Sequence, residues 1–202
     1  MNLPIDTKTM IIIPILLYML TKKIYIPIAF LCFVLYFLRF PQLNNYHNYQ
    51  ENIFYSPTDG RVRSIEEKND MITISLFLNI FDKHGQYIPI KSTLVNQTRF
   101  YGPHIQAYKE HAINNERVVN ELIGLNNNKQ FNYSITQITG ILTHRILSIQ
   151  KPSEQLLLPG HKLGFILLGS RVDIILPKNI IKNILVTKGQ HINAMQELCN
   201  LN

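Results

Sequence analysis

Residues 164–177 read Gly-Phe-Ile-Leu-Leu-Gly-Ser-Arg-Val-Asp-Ile-Ile-Leu-Pro, two short apolar runs that meet at Gly169-Ser170. Apolar runs of this length, bounded by Gly and Pro, read as strands rather than helices. A Gly-Ser pair is ordinarily a turn, and for the dipeptide alone that reading stays open. Held between two strands, the pair has a second use. The Ser170 hydroxyl can attack the carbonyl of Gly169, which has no side chain to obstruct it. The amide becomes an ester, elimination leaves a dehydroalanine, and hydrolysis gives a pyruvoyl group and ammonia. Such a chain makes its own electron sink, a role that bound pyridoxal phosphate fills elsewhere.

At 202 residues the chain is one domain, or one domain with an appendage. Net charge is +7, and Lys8, Lys22, Lys23 and Arg39 against Asp6 place +3 of it in the first forty residues. The remainder is spread without a basic run. Nucleic-acid binding needs a clustered stripe with interleaved aromatics, so no nucleic-acid partner is expected. A mild basic excess beside an apolar segment fits anionic lipid head groups. Cys32 and Cys199 make neither a disulfide framework nor a zinc spacing, and no metal is expected.

Thr9 to Thr21 is uncharged and dominated by Ile, Leu and Met. Lys22-Lys23 interrupts, Ile24 to Leu38 is again uncharged, and Arg39 closes it. Each run falls short of the roughly 20 residues that a spanning helix needs. Residues 1–41 are therefore expected to be a membrane anchor, either an α-helical hairpin or a monotopic insertion. Lys22-Lys23 would lie at the bend or snorkel to the surface. A signal peptide is the other reading, but no small-x-small cleavage site follows and a second apolar run does. A buried hairpin in a soluble core is disfavoured by the lack of a polar face. The expected location is the cell membrane, with the body on its cytoplasmic side.

Residues 42–52 are polar and Asn/Tyr-rich, a linker. The body, 53–202, then shows short apolar or alternating runs separated by turn residues. Ile72 to Phe77, Ile88 to Val95, Tyr133 to Ile138, Ile146 to Ile149, Gly164 to Leu168, Val172 to Leu176 and Ile184 to Thr187 read as strands. Turns fall at 57–60, 158–160 and 188–190, and Gln106 to Leu122 has weak helical character. The expected fold is mainly β, a β-rich barrel or sandwich body behind the N-terminal helices.

Several segments then line up in order: Phe37-Leu38-Arg39-Phe40-Pro41, Ser56-Pro57-Thr58-Asp59-Gly60-Arg61-Val62, Phe81-Asp82-Lys83-His84 with Pro89, Asn115-Glu116-Arg117, Gln137-Ile138-Thr139-Gly140 with Arg145-Ile146, and the 164–177 run. Together they resemble the short form of the phosphatidylserine decarboxylases, over nearly the whole chain. The resemblance implies a proenzyme cut between Gly169 and Ser170. A membrane-attached large chain, 1–169, would stay paired with a small chain, 170–202, and homo-oligomers are possible. Ser170 would become the pyruvoyl cofactor, and phosphatidylserine would lose carbon dioxide to give phosphatidylethanolamine.

The resemblance also places residues. Asp59 falls where the family has an aspartate that helps activate the serine, and His84 where it has a histidine tied to decarboxylation or proton delivery. Read without the resemblance, Asp59 is a turn residue and His84 a histidine beside a turn. Arg117 and Arg145 are candidates for the lipid phosphate or serine carboxylate, or else form surface ion pairs. Arg171 and Asp173 can hold the cleaved terminus. The long form of the family has a second histidine three positions after the first, and here that position is Tyr87. Either His84 does both jobs, or His104, His111, His144 or His161 comes in, or backbone strain at Gly169 drives the cut. Three other readings stand beside the main one: archaetidylserine as substrate, a relative that does not mature, and a serine hydrolase, which would need a base and an oxyanion hole.

Overall fold

The computed structural model describes residues 7–37, 49–141, 145–166 and 169–202. The two uncharged N-terminal runs coil into helices α1 (Thr7–Thr21) and α2 (Tyr25–Phe37). Lys22 turns the chain between them at φ 55, its N–H bonded to Tyr18 C=O at 2.7 Å. At 1.5 Å per residue the helices are only about 22 and 20 Å long. Among the described residues no helix is long and apolar enough to cross a membrane. The helices pack on each other, yet Ile12, Leu16, Met19, Leu20, Ile28 and Leu35 remain exposed. The helical pair and the strands form two compact units.

The second unit is mainly β. Its strands are β1 (Ile53–Tyr55), β2 (Gly60–Lys68), β3 (Met71–Leu78), β4 (Gly85–Tyr87), β5 (Ser92–Phe100), β6 (Arg117–Asn126), β7 (Lys129–Ile138), β8 (Ile146–Ser148), β9 (Leu156–Leu157), β10 (Lys162–Ile166), β11 (Ser170–Pro177), β12 (Ile181–Ile184), β13 (His191–Ile192) and β14 (Glu197–Leu201). Eight form one sheet in the order β13-β2-β3-β11-β7-β6-β5-β9. Two three-stranded sheets, β4-β10-β8 and β1-β14-β12, share its core. Antiparallel hairpins tie sequence neighbours together. Asn69-Asp70 joins β2 to β3 with φ 51 and 58, and Asn127-Asn128 joins β6 to β7 with φ 46 and 62. Asn and Asp tolerate this left-handed region, which a two-residue type I′ turn demands twice.

The strand beginning at Ser170 lies inside the large sheet. β11 pairs with β3 along its whole length and with β7 from Arg171 to Ile175. Val172, Ile174 and Leu176 face the core, with Ile74 and Leu76 of β3, Ile135 of β7 and Ile166 of β10. Since side chains alternate along a strand, Ser170 shares their face while Arg171 and Asp173 project from the other. Both faces of β11 are covered, which is why its sequence lacks simple alternation.

Three expectations need correction. The stretch Gln106 to Leu122 holds only a short 3₁₀ helix, Glu110–Asn114, and from Arg117 onward it is β6. The β-branched Val118 and Val119, paired across to β7, decide the matter. The run from Ile88 becomes a strand only at Ser92, because Pro89 has no N–H for a ladder. Ile184 ends a strand rather than beginning one. Residues 42–48 of the expected linker, and Leu168, lie outside the described residues.

Cys199 is fully buried on β14, and burial pushes its thiol up to about 12. A neutral buried thiol is a poor nucleophile. Iodoacetamide at pH 8 is therefore expected to leave Cys199 unmodified in the native chain and to alkylate it once urea unfolds the body, as peptide mass mapping would read.

Candidate active site

Gly169 and Ser170 stand at the start of β11, opposite the end of β3, where Ser170 pairs with Leu78. Gly169 has φ +62, the left-handed region that glycine enters without cost to a side chain. Ser170 is fully buried, and its Oγ has no hydrogen-bond partner among the described residues. An unpaired buried hydroxyl is costly, roughly 1–3 kcal/mol, and native proteins keep few of them. Here the unpaired oxygen lies three bonds from the Ser170 nitrogen, which carries the Gly169 acyl group that the oxygen would take over. A mostly apolar cleft of about 270 Å³ opens at Gly169, lined among others by Phe77, Ile80, Ala107, Tyr108 and Ile141.

His84 is brought to this junction from the loop between β3 and β4. It is buried, with Nδ1 2.8 Å from the Asp82 carbonyl and Nε2 3.3 Å from the Gly169 N–H. A backbone N–H can only donate, so Nε2 accepts and the proton sits on Nδ1, which donates to Asp82. The contacts thus specify a neutral imidazole whose basic nitrogen is aimed at the Gly-Ser junction. Phe165 lies beside the ring, centroid to centroid 6.4 Å.

Two buried carboxylates brace the loop that carries His84. Asp59 Oδ1 accepts the Ala194 N–H at 2.7 Å, and Oδ2 accepts the Lys83 N–H at 3.4 Å. Asp59 thus reaches the residue next to His84 by way of its backbone. Asp82 Oδ2 accepts the Asn79 N–H at 2.8 Å, and Oδ1 meets His191 Nε2 at 2.9 Å. Asp82 and His191 were missed as site residues. Asp82 lay in a quoted segment without a role, and no local pattern marks His191, since the pairing spans 109 positions.

Tyr87, in the place of a second histidine, is buried on β4 opposite Lys162. Among the alternative histidines, His104 Nδ1 is 3.3 Å from Thr139 Oγ1 and His161 Nδ1 accepts the Leu158 N–H, while His111 is exposed in the 3₁₀ turn. His144 lies outside the described residues. The two candidate arginines are not brought to Ser170. Arg117 pairs with Ile138, which pairs with Arg171, so its side chain leaves the opposite face from Ser170. Its guanidinium lies 4.4 Å over the Phe100 ring. Arg145 is exposed just before β8.

The sequence model of the family described as phosphatidylserine decarboxylase matches residues 30–200. A phosphatidylserine decarboxylase proenzyme of Carboxydothermus hydrogenoformans is 34% identical over 168 residues, 79% of this chain and 75% of that protein. The chain belongs to the phosphatidylserine decarboxylase family. Proenzymes of the same name from Chlorobium limicola (28% identity, 87% of this chain, 82% of the relative) and Ralstonia pickettii (34%, 63% and 61%) agree. The chain thus spans less than two thirds of the Ralstonia relative's length. No solved structure matches the chain.

In this member of the decarboxylase family, a buried ion pair follows the junction. Arg171 Nε and Nη2 meet Asp173 Oδ1 and Oδ2 at 2.7 and 2.5 Å, Ser75 Oγ donates to Oδ1, and Arg171 Nη1 donates to the Lys109 carbonyl. Removing one partner strands the other charge, which typically costs about 3–5 kcal/mol. Asp173→Asn is expected to lower the unfolding free energy of the full chain, read from urea denaturation, by that order, and the pair replacement Arg171→Met/Asp173→Leu to cost less.

Proposed function

We propose that this chain is a proenzyme that cuts itself between Gly169 and Ser170 and then, as two associated chains, decarboxylates phosphatidylserine to phosphatidylethanolamine. The observation that carries the proposal is the buried, unpartnered Ser170 Oγ beside a glycine in the left-handed region, with the accepting nitrogen of a neutral His84 at the same junction. The family membership supports the substrate, and the relatives' name of proenzyme supports the cut.

The reaction balances without an outside oxidant or metal. Ser170 Oγ bonds to the Gly169 carbonyl carbon as the C–N bond breaks, and the hydroxyl proton passes to the freed amine. Loss of the Ser170 α-proton then expels the Gly169 carboxylate and leaves dehydroalanine. Its imine tautomer takes up water and releases ammonia. A serine hydroxyl is a weak nucleophile until a base takes its proton, and His84 Nε2 supplies a base within one residue of the site.

The residues present fit a pyruvoyl group at position 170. The position is buried and desolvated, its neighbours on the core face are apolar, and the strand behind it is anchored by the Arg171–Asp173 pair. A pyruvoyl group supplies an electron sink for the pair left behind as carbon dioxide departs. The chain's own contributions are separate from that. The cleft at Gly169 admits the serine head group and its glycerol, and its apolar walls exclude water. His84 delivers a proton to the substrate carbon that loses the carboxylate.

The same reading assigns the helical pair to the membrane. Exposed Ile, Leu and Met on helices too short to span support a monotopic insertion, with Lys22 and Lys23 at the head groups. The catalytic body then works on the cytoplasmic side of the cell membrane.

The deciding measurement is the intact mass of the denatured protein. The expected result is two chains, the smaller starting at 170 and lighter by one ammonia than the serine-started peptide; Ser170→Ala is expected to remain one chain. A single uncut wild-type chain would favour a relative that does not mature. His84→Ala is expected to lower the decarboxylation rate per cut chain by about 10²–10⁴-fold, the usual range for loss of a general acid or base. Deletion of residues 1–40 is expected to reduce activity on phosphatidylserine vesicles more than on detergent-dispersed lipid; equal activities on both would count against the insertion.

A further inference from the structure

Two sequence segments remain without a task in this chemistry: Asn115-Glu116-Arg117 and Gln137-Ile138-Thr139-Gly140. The structure joins them at the end of β7. We infer that this end of β7 is a positioning element for self-cleavage, with Gly140 seating the carbonyl that is attacked and Gln137 fixing the histidine base. The inference rests on the proposed self-cleavage.

The seat is read from a missing side chain. A methyl group on Gly140 would fall on the Gly169 carbonyl oxygen. Only a glycine leaves room for that oxygen to lie where it does. The seat itself is clamped. The Thr139 N–H and Oγ1 both donate to the Glu116 carbonyl at 3.0 Å. Asn115 is fully buried; its Nδ2 donates to the Thr139 and Ile105 carbonyls at 2.8 Å, and its Oδ1 accepts the Ile105 N–H at 3.1 Å. Residues 115 and 116 therefore fix the height at which Gly140 meets the scissile carbonyl.

The second arm runs through the core. Gln137 pairs with Val172, so its side chain lies on the face that carries Ser170. Its Nε2 donates to Gln86 Oε1 at 2.7 Å, and Gln86 Nε2 donates to the His84 carbonyl at 2.7 Å. Behind it, Asn120 Nδ2 donates to Gln137 Oε1 at 3.2 Å, and Gln97 Nε2 donates to Asn120 Oδ1 at 2.6 Å. Every amide in the row donates in the same direction, towards His84. Each one fixes the orientation of the next, and aligned bonds of this kind reinforce one another. The glycine that opens the 164–177 run fits this arm: a Cβ on Gly164 would stand 2.6 Å from Gln137 Nε2.

The two arms separate in time. After the cut, the Gly169 carbonyl is a free carboxylate and the seat has finished its work, whereas His84 is still needed for turnover. The test follows full-length wild type, Gly140→Ala, Thr139→Val and Gln137→Leu in membranes. It reads the cleavage rate by intact mass, then kcat and KM per cut chain on phosphatidylserine vesicles. Gly140→Ala is expected to cleave about 10²-fold more slowly, the cost of a misplacement near 1 Å, with wild-type kcat per cut chain. Thr139→Val, which removes one bond of the clamp and the contact to His104 Nδ1, is expected to slow cleavage severalfold and covers the case in which Gly140→Ala does not fold. Gln137→Leu is expected to slow cleavage and lower kcat while KM holds. Cleavage of Gly140→Ala or Thr139→Val at the wild-type rate would overturn the seat. An unchanged kcat in cut Gln137→Leu would overturn the second arm, and a proportional loss of every parameter in all three variants would reduce both to ordinary scaffolding. An uncut wild-type chain would overturn the proposed function itself, and this inference with it.

Discussion

The ladder that holds β11 between β3 and β7 governs the molecule. The bond proposed to break lies immediately before this strand, yet the strand's own bonds to its neighbours run from Ser170 onward. Breaking the backbone there removes a covalent link and leaves the sheet intact. After the proposed cut, the new end is held by backbone pairing with β3 at Ser170, with β3 and β7 from Arg171, and by the buried Arg171–Asp173 pair. β12, β13 and β14 follow it and are woven into two different sheets. A cut chain of this kind has no easy route apart, because separation would expose the central strand of the core.

The proposed base depends on both sides of the proposed cut as well. His84 precedes Gly169, but its loop is braced by Asp82 against His191 and by Asp59 against Ala194, both of which follow Ser170. Asp59 therefore acts on His84 through the Lys83 backbone and through the segment that lies against it. A buried carboxylate receiving backbone N–H groups is well suited to this, because it fixes main chain rather than another flexible side chain. The arrangement explains how a chain with Tyr87 in place of a second histidine still orients its imidazole: the Asp82 carbonyl sets the tautomer that a paired carboxylate would otherwise set.

How much of this could be read from the sequence varies with how local the cause is. The strands of the core, such as Ile72 to Phe77 and Tyr133 to Ile138, were legible because burial of one face or both leaves an apolar pattern. The strand Gly60–Lys68 was not, because its second half is charged and exposed and is held by backbone pairing with β3, the packing of Ile65 and the Glu67–Lys178 ion pair. Asn127-Asn128 read as a polar tract; its meaning, two consecutive left-handed residues in a hairpin, lies in the backbone. In the candidate site, Gly169-Ser170 stood out as a pair between two apolar runs, whereas Asp59 and His84 were singled out only through family-like segments. Asp82 and His191 needed the fold. That Arg117 leaves the face opposite Ser170 could not be read from its segment, because strand register, which decides the face, cannot be counted along one segment.

The unpartnered hydroxyl of Ser170 has a thermodynamic reading. A serine bonded to a carbonyl would rest in a well and would have to leave it before attacking. Burying Oγ without a partner raises the uncut state instead, by an amount of order 1–3 kcal/mol. The left-handed backbone at Gly169 costs glycine little, whereas most side chains would add about 1–2 kcal/mol. The surrounding sheet supplies the stability that keeps this arrangement in place, as strained sites generally require. On the proposed cut, that unpaired hydroxyl is consumed while the same ladder holds the strand. The uncut state then carries at this one position a cost of about 1–3 kcal/mol that the ester does not, a bias toward cleavage.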